Sequence, residues 1–172
     1  RDDHERVRRR DGDVWGPFYE QPFARSGKDT AWDGLSKYDL SRQNEWYFYR
    51  LNKFADCEAD NGMILMNQNY FQHNILEAGA HWVDCPWRSA NNINDTEFPE
   101  PVPFTGDKRI FMADNFYDVN NSHLRELHRN YIYGVLDAFA NKPNVIHSIG
   151  EEFTGPYKFV KFWLQTVSEW EQ

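Results

Sequence analysis

Lys142-Pro143-Asn144-Val145-Ile146-His147-Ser148-Ile149-Gly150-Glu151-Glu152-Phe153-Thr154-Gly155-Pro156 is the stretch that decides the fold. Val145, Ile146 and Ile149 make a short, β-branched, mostly apolar run of strand length. Pro143-Asn144 signals a turn before it, and Gly155-Pro156 opens the next element. The run ends in two adjacent carboxylates, Glu151 and Glu152. Adjacent acids at the carboxyl end of a buried strand are costly to leave unpaired and useful as acid/base groups. In parallel α/β folds that end of the strand is where active sites sit. A structural acidic strand end, or a surface ion pair, is the alternative use of the same residues.

Outward from this strand the chain reads as αβ units. Upstream, Ser122 can cap a helix carrying Leu124, Leu127, Tyr131, Val135 and Phe139, and Asn141 to Asn144 form the turn into the strand. Downstream, a helix from about Pro156 to Trp170 has Pro in its first turn and Phe159, Phe162, Trp163, Val167 and Trp170 on its buried side. The same unit occurs earlier. From about Arg42 to Asp60, Trp46, Tyr49, Phe54 and Cys57 recur at helical steps and mark an amphipathic helix. Asn61-Gly62 stops it, and Met63 to Met66 read as a buried parallel strand. The order α-β-loop-α-β-α fits a parallel α/β sheet or barrel. A doubly wound sheet is the alternative, but no glycine-rich phosphate fingerprint supports it.

Two long connections frame these units. Residues 1–40 interleave Gly and Pro with Trp15, Phe18, Tyr19, Phe23 and Trp32, and read as a large ordered loop of the kind that lines a cleft. Glu20, Arg25 and Asp33 could face substrate there, although packing and salt-bridge roles are the commoner use of such residues. The insertion from Asn67 to Asn121 leaves the carboxyl end of its strand, on the face expected to hold Glu151 and Glu152. Its run Asn67 to Asn74 offers Gln68, Tyr70 and His73 as donors and acceptors for sugar hydroxyls. Further on, Trp82 and Trp87 can serve as stacking platforms, and His81, Asp84 and Arg88 can bind hydroxyls or a uronate carboxylate. A buried His–Asp pair that fixes the loop is the plainer reading of His81 and Asp84. His73, His81 and Asp84 match no short zinc spacing, nothing in the chain calls for a cofactor, and Ser148 has no nucleophile-elbow pattern around it.

Composition narrows the class. A net charge of −8 argues against a nucleic-acid partner, since phosphate binding is dominated by Lys and Arg. Aromatic residues make up 17% of the chain, with seven Trp, more than a core of this size needs and suited to stacking on sugars. No run is long enough to span a membrane. Cys57 and Cys85 could pair in an oxidising compartment or remain free thiols. Asn94-Asp95-Thr96 and Asn120-Asn121-Ser122 match glycosylation sequons.

Asn144-Val145-Ile146, four more residues, then Glu151-Glu152 resembles the fourth strand of the TIM-barrel superfamily of retaining glycosidases, the cellulase-like clan. There the strand commonly reads Asn-Val-Ile, four residues, Asn-Glu, with the Glu as general acid/base. The resemblance therefore implies that role for Glu152. Glu151 departs from the pattern, because the Asn expected there hydrogen-bonds a sugar hydroxyl. Phe153, where Pro is frequent, departs more mildly. Gly79-Ala80-His81-Trp82, Glu152 to Pro156 and Asp33 to Leu40 together resemble a group of large bacterial proteins assigned as glycosidases, over nearly the whole chain.

The resemblance implies that residues 1–172 are a portion of a single (β/α)8 catalytic barrel with long strand-to-helix loops, 1–40 forming a cleft loop and 41–172 the αβ units. A complete barrel takes about 250 residues, so the remainder of the barrel is the implied partner and this chain alone is expected to be inactive. Retaining chemistry needs a second carboxylate about 5–5.5 Å from the first. Glu151 is a poor candidate for it, because successive strand residues point to opposite faces, and in the resembled superfamily the nucleophile comes from the seventh strand. The expected substrate is a polysaccharide or oligosaccharide, and the expected setting secreted or periplasmic. A non-catalytic carbohydrate-binding protein would tolerate loss of Glu152. A polysaccharide lyase would leave an unsaturated product that absorbs in the ultraviolet.

Overall fold

The computed structural model describes residues 21–70, 75, 82, 85–99 and 109–172, with the backbone alone over 109–112. In chain order the elements are β1 (Phe23–Arg25), β2 (Tyr38–Gln43), α1 (Glu45–Asp60), β3 (Leu65–Gln68), α2 (Arg109–Phe116), α3 (Ser122–Phe139), β4 (Val145–Ser148) and α4 (Tyr157–Trp170). The fold is mixed α/β with two small sheets.

The two strands read from the sequence pair in parallel, Leu65 opposite Val145 through Gln68 opposite Ser148. β3 begins two residues later than expected because Asn61 to Met63 are used to end α1. The amide of Gly62, at φ +70°, donates to the Ala59 carbonyl and that of Met63 to the Glu58 carbonyl. This is the paired bond pattern of a left-handed helix stop, and it leaves Met63 and Ile64 exposed outside the ladder. Helix α3 starts where expected, but its cap is Asn121, whose side-chain oxygen accepts from the amides of His123 and Leu124. Pro156 precedes α4 with extended backbone and no side-chain cap.

Helices cover one face of the parallel pair. Leu65 and Val145 pack against Phe48 and Ala55 of α1 and Val135 and Phe139 of α3. On the opposite face Met66 and Ile146 remain more than half exposed. Both strands also have an unpaired edge, since each sheet has only two strands among the described residues.

A region read as loop contains a hairpin. β1 and β2 pair antiparallel with a bulge between Phe23 and Ala24. Their connection is tied by an Arg25–Asp33 salt bridge, a bond from Arg25 to the Ser36 carbonyl, and the Arg25 guanidinium 3.8 Å from the Tyr38 ring centre. Arg25 and Asp33 thus have the salt-bridge role. Three-residue β1 is too short to show alternation in sequence. Gly134 of α3 lets the helix lie against Gln43 at the end of β2, where a Cβ would fall on the side-chain amide.

Helix α1 turns the opposite way from the expected stripe. Phe48 and Ala55 are its buried residues, while Trp46, Tyr49, Phe54 and Cys57 are exposed. Helix α4 follows its expected side, with Phe159, Phe162 and Trp163 buried and Val167 and Trp170 packed at the margin. The main core is aromatic and lies between α3, α4 and the segment after β3. Its centre is His128, at 0% exposure, with the Trp87 ring stacked 4.6 Å away and the rings of Tyr70, Phe116 and Phe159 edge-on.

Candidate functional site

The carboxyl end of the parallel pair gathers the polar groups. Met66 and Gln68 share one face of β3, and Ile146 and Ser148 the same face of β4, because side chains alternate along a strand. That open face therefore has an apolar lower layer and a polar upper layer. Gln68 is exposed and lies opposite Ser148 in the ladder. Beyond the strands the pairing continues, with the Asn69 amide on the Ser148 carbonyl and the Tyr70 amide on the Ile149 carbonyl. The chain then turns through Glu151 and Glu152, both exposed.

β4 stops at Ser148, so the two acids occupy a turn rather than the strand itself. Strand alternation therefore does not fix their relative directions. Glu152 takes a φ of +48°. A non-glycine residue there costs on the order of 1 kcal/mol or more and persists where its surroundings hold it. The next residues supply that hold. Phe153 packs edge-on against Tyr117 and stacks with Phe159, at 5.1 and 6.2 Å between ring centres. Gly155 is needed for this approach, since a Cβ there would lie 2.5 Å from the Phe153 ring and 2.7 Å from that of Tyr117. Pro156 then leads into α4. The Glu-Phe-Thr-Gly-Pro motif is thus a brace that fixes the backbone carrying Glu152 at the strand end.

Close by, a depression of about 290 Å³ opens between the end of α2, the connection that follows it and the start of α4. Asp114, Asp118, Asn120, Tyr157 and Lys158 supply its polar lining. None of these stood out in sequence, because they come from two helix ends and a connection and carry no shared spacing.

The remaining expected site residues divide sharply. Tyr70, Trp82 and Trp87 are core residues, at 3%, 1% and 5% exposure, and present no open ring face for a sugar. The Tyr70 hydroxyl donates to Nδ1 of His128 at 2.9 Å, while Nε2 of His128 donates to the Phe116 carbonyl at 2.8 Å. Burial lowers the His128 pKa to about 4, against the weaker opposing pull of the Phe116 carbonyl, so the ring is neutral at pH 7. Burial likewise raises the Tyr70 hydroxyl well above its ordinary value. Arg88 is half-buried, and its carbonyl accepts from Asn91 and Asn92. His73, His81 and Asp84 lie outside the described residues, as do Trp15, Phe18, Tyr19 and Glu20 of the first loop.

The Asn-rich run after Arg88 has a structural use. Asn92, 3% exposed, donates through Nδ2 to the carbonyls of Pro86, Trp87 and Arg88. Asn91, fully buried, donates to the Cys85 carbonyl and accepts from the Trp32 amide. Asn94 accepts from the Leu40 amide at 2.7 Å, so the amide of that sequon holds β2. These carboxamides satisfy backbone groups that irregular chain would otherwise bury unpaired. Asn67 Nδ2 meets His147 Nδ1 at 3.4 Å across the parallel pair, and burial lowers the His147 pKa. Both amide atoms of Asn69, beside the acidic turn, lack a partner among the described residues. Cys57 and Cys85 are not joined in a disulfide, the first being exposed and the second buried. Among the described residues no group of three His, Cys, Asp or Glu is placed to hold a metal, and no helix is long and apolar enough to cross a membrane.

The family described as a domain of unknown function, DUF6298, matches residues 1–172. The chain belongs to that family. No curated protein and no solved structure matches it. Within a DUF6298 domain, then, the exposed carboxylate on the braced turn after β4 is the feature that asks for a chemical use.

Proposed function

We propose that the protein is a glycoside hydrolase of the (β/α)8 kind, acting on a polysaccharide or oligosaccharide, with Glu152 as general acid/base. The observation that carries this reading is the position of Glu152: exposed, in a left-handed turn braced by Phe153 and Gly155, at the carboxyl end of a parallel β-α-β unit. A carboxyl group there would protonate the leaving glycosidic oxygen and afterwards take the proton from the attacking water. Gln68 and Ser148, on the open face below the turn, would meet sugar hydroxyls.

The barrel is part of the proposal. Parallel sheets occur almost only with both faces covered, and a lone two-stranded pair is not stable by itself. The open face of Met66 and Ile146 and the two unpaired strand edges fit further parallel strands, which would also bring the nucleophile. The 172-residue segment alone would then be inactive. A secreted or periplasmic setting suits such an enzyme.

The test is Glu152→Gln in the complete protein, with reducing ends scored on a panel of plant and microbial polysaccharides. Turnover should fall by roughly 10²- to 10⁴-fold while binding is largely kept. Near-normal turnover would remove Glu152 from the role, and an ultraviolet-absorbing unsaturated product would replace hydrolysis with elimination.

A further inference from the structure

The depression between the end of α2, the connection after it and the start of α4 gathers charged groups of both signs. Asp114, exposed on the last turn of α2, and Lys158, exposed on the first turn of α4, both line it. No ion pair joins them, and neither has a partner among the described residues. Asp118 uses Oδ1 to hold the amide and the side chain of Asn120, at 3.0 and 2.9 Å. The lining also has a flat apolar part. Tyr157 is 70% exposed, and the Lys161 ammonium, 4.9 Å from its ring centre, restrains the ring. Counting Lys161, the acids and amines around the depression balance, so neither sign dominates. The depression also shares two residues with the brace behind Glu152. One is Tyr117, whose ring meets that of Phe153 at 5.1 Å, and the other is Pro156, the last residue of the motif.

We propose that this depression is a subsite for one neutral sugar ring of the polymer. At about 290 Å³ it lies at the low end of the roughly 300–1,000 Å³ range of small-molecule sites, which suits a single ring better than a length of chain. Sugar hydroxyls donate to the carboxylates of Asp114 and Asp118 and accept from the Lys158 ammonium. One uncharged ligand thereby answers groups of both signs. The apolar C–H face of the ring lies on Tyr157. A uronate or phosphate would set its charge against two carboxylates, and a purely apolar ligand would desolvate the charged groups and return nothing. The inference rests on the carbohydrate reading of the Glu152 turn. It adds a substrate class, a neutral polysaccharide, and a place for one of its rings beside that turn.

Affinity electrophoresis of the complete protein in the cold tests it, in native gels cast with β-glucan, arabinoxylan, galactomannan or polygalacturonate. At least one neutral polymer should retard the wild type, and polygalacturonate should retard it less. Asp114→Ala and Tyr157→Ala should each weaken the affinity for that neutral polymer about tenfold, the scale of one lost charge-assisted bond or ring contact. Both residues are exposed, so the melting temperature should not move. Three results overturn the proposal. One is no retardation of the wild type by any neutral polymer. Another is retardation that both substitutions leave unchanged. The third is strongest retardation in polygalacturonate, lost in Lys158→Gln, which makes the ligand acidic. Glu152→Gln separates this inference from the reading it rests on. If that variant keeps full turnover while Asp114→Ala and Tyr157→Ala weaken binding, the acid/base role falls and the subsite stands. If it is inactive and the lining substitutions leave binding unchanged, the reverse holds.

Discussion

Helices α1 and α4 carry similar loads of large apolar residues and put them to opposite use. In α4 the stripe of Phe159, Phe162, Trp163 and Val167 is separated from Lys158, Lys161, Gln165 and Glu169, so one rotation buries nearly all of it. In α1 four consecutive aromatics, Trp46, Tyr47, Phe48 and Tyr49, point in four directions around the axis. Periodicity alone cannot choose among them. The choice follows Ala55, at 0% exposure, whose small side chain lets the helix approach and whose carbonyl accepts from Asn144 before β4. Close approach at a small residue outweighed the larger transfer energy that burying Trp46 would have brought. Apolar periodicity thus locates a helix, while its rotation depends on where a neighbour can come close.

The largest expected effects test that assignment directly. Phe159→Ala in α4 and Phe48→Ala in α1 should each cost about 3–5 kcal/mol, as for other buried Phe truncations. Urea denaturation measures both. A loss below about 1 kcal/mol for Phe48→Ala would mean that α1 is not anchored by that ring. Next is the acid sensitivity of the main aromatic core. His128 is neutral when folded, with its pKa lowered from 6.5 to about 4. Between those values the unfolded chain binds a proton that the folded one does not, so stability is full above pH 6.5 and falls as pH drops toward 4. The loss approaches about 3 kcal/mol. His128→Phe should be less stable at pH 7, with Tyr70 and the Phe116 carbonyl left unpaired, yet lose less between pH 7 and pH 4.5. An equal drop in both proteins would assign the acid sensitivity to other groups.

A smaller effect belongs to the brace that leads into α4. Gly155→Ala would push a Cβ into the Phe153 and Tyr117 rings, both packed against neighbours, at an expected cost of about 1–3 kcal/mol. In the catalytic reading it should also displace Glu152 and lower turnover beyond the effect of the stability loss. Gly134→Ala is the contrasting case, since its Cβ would meet only the movable end of Gln43. A loss larger than that of Gly155→Ala would make the contact with β2 the more rigid of the two.

Much of the fold is legible in local signals. Asn61-Gly62 announces a helix stop, and the β-branched run at Val145 announces a strand, because turn and strand chemistry are set by neighbouring residues. β1 is not legible, because three residues cannot display alternation and its partner β2 lies beyond a connection, Ser26 to Lys37, ordered by contacts between separated residues such as the Arg25–Asp33 ion pair and the bond from Arg25 to the Ser36 carbonyl. The site divides along the same line. Glu152 and Gln68 are legible as polar residues after apolar strands. Tyr70, Trp82 and Trp87 look like binding residues because aromatic-polar segments serve both clefts and cores. The use of Tyr70 and Trp87 is settled by His128, far along the chain, which bonds the Tyr70 hydroxyl and stacks on the Trp87 ring, and that of Trp82 by Phe98.

The smallest expected effect is the one that can break the comparison between the helices. Trp46→Ala removes the largest side chain of α1, and a buried Trp would cost about 3–5 kcal/mol to truncate. Half-exposed, with Arg50 beside its ring as its described partner, it should change unfolding free energy by no more than about 0.5 kcal/mol. Helix propensity slightly favours Ala at such a position, which offsets part of the lost contact. The measurement is a pair of urea curves at equal protein concentration, repeated at a tenfold dilution. A loss above about 2 kcal/mol that is the same at both concentrations would place Trp46 in the core and reverse the rotation of α1. A loss that appears only at the higher concentration would come from a partner copy covering the face. No change at either concentration leaves Trp46 as a surface residue whose exposed ring adds nothing to folding stability.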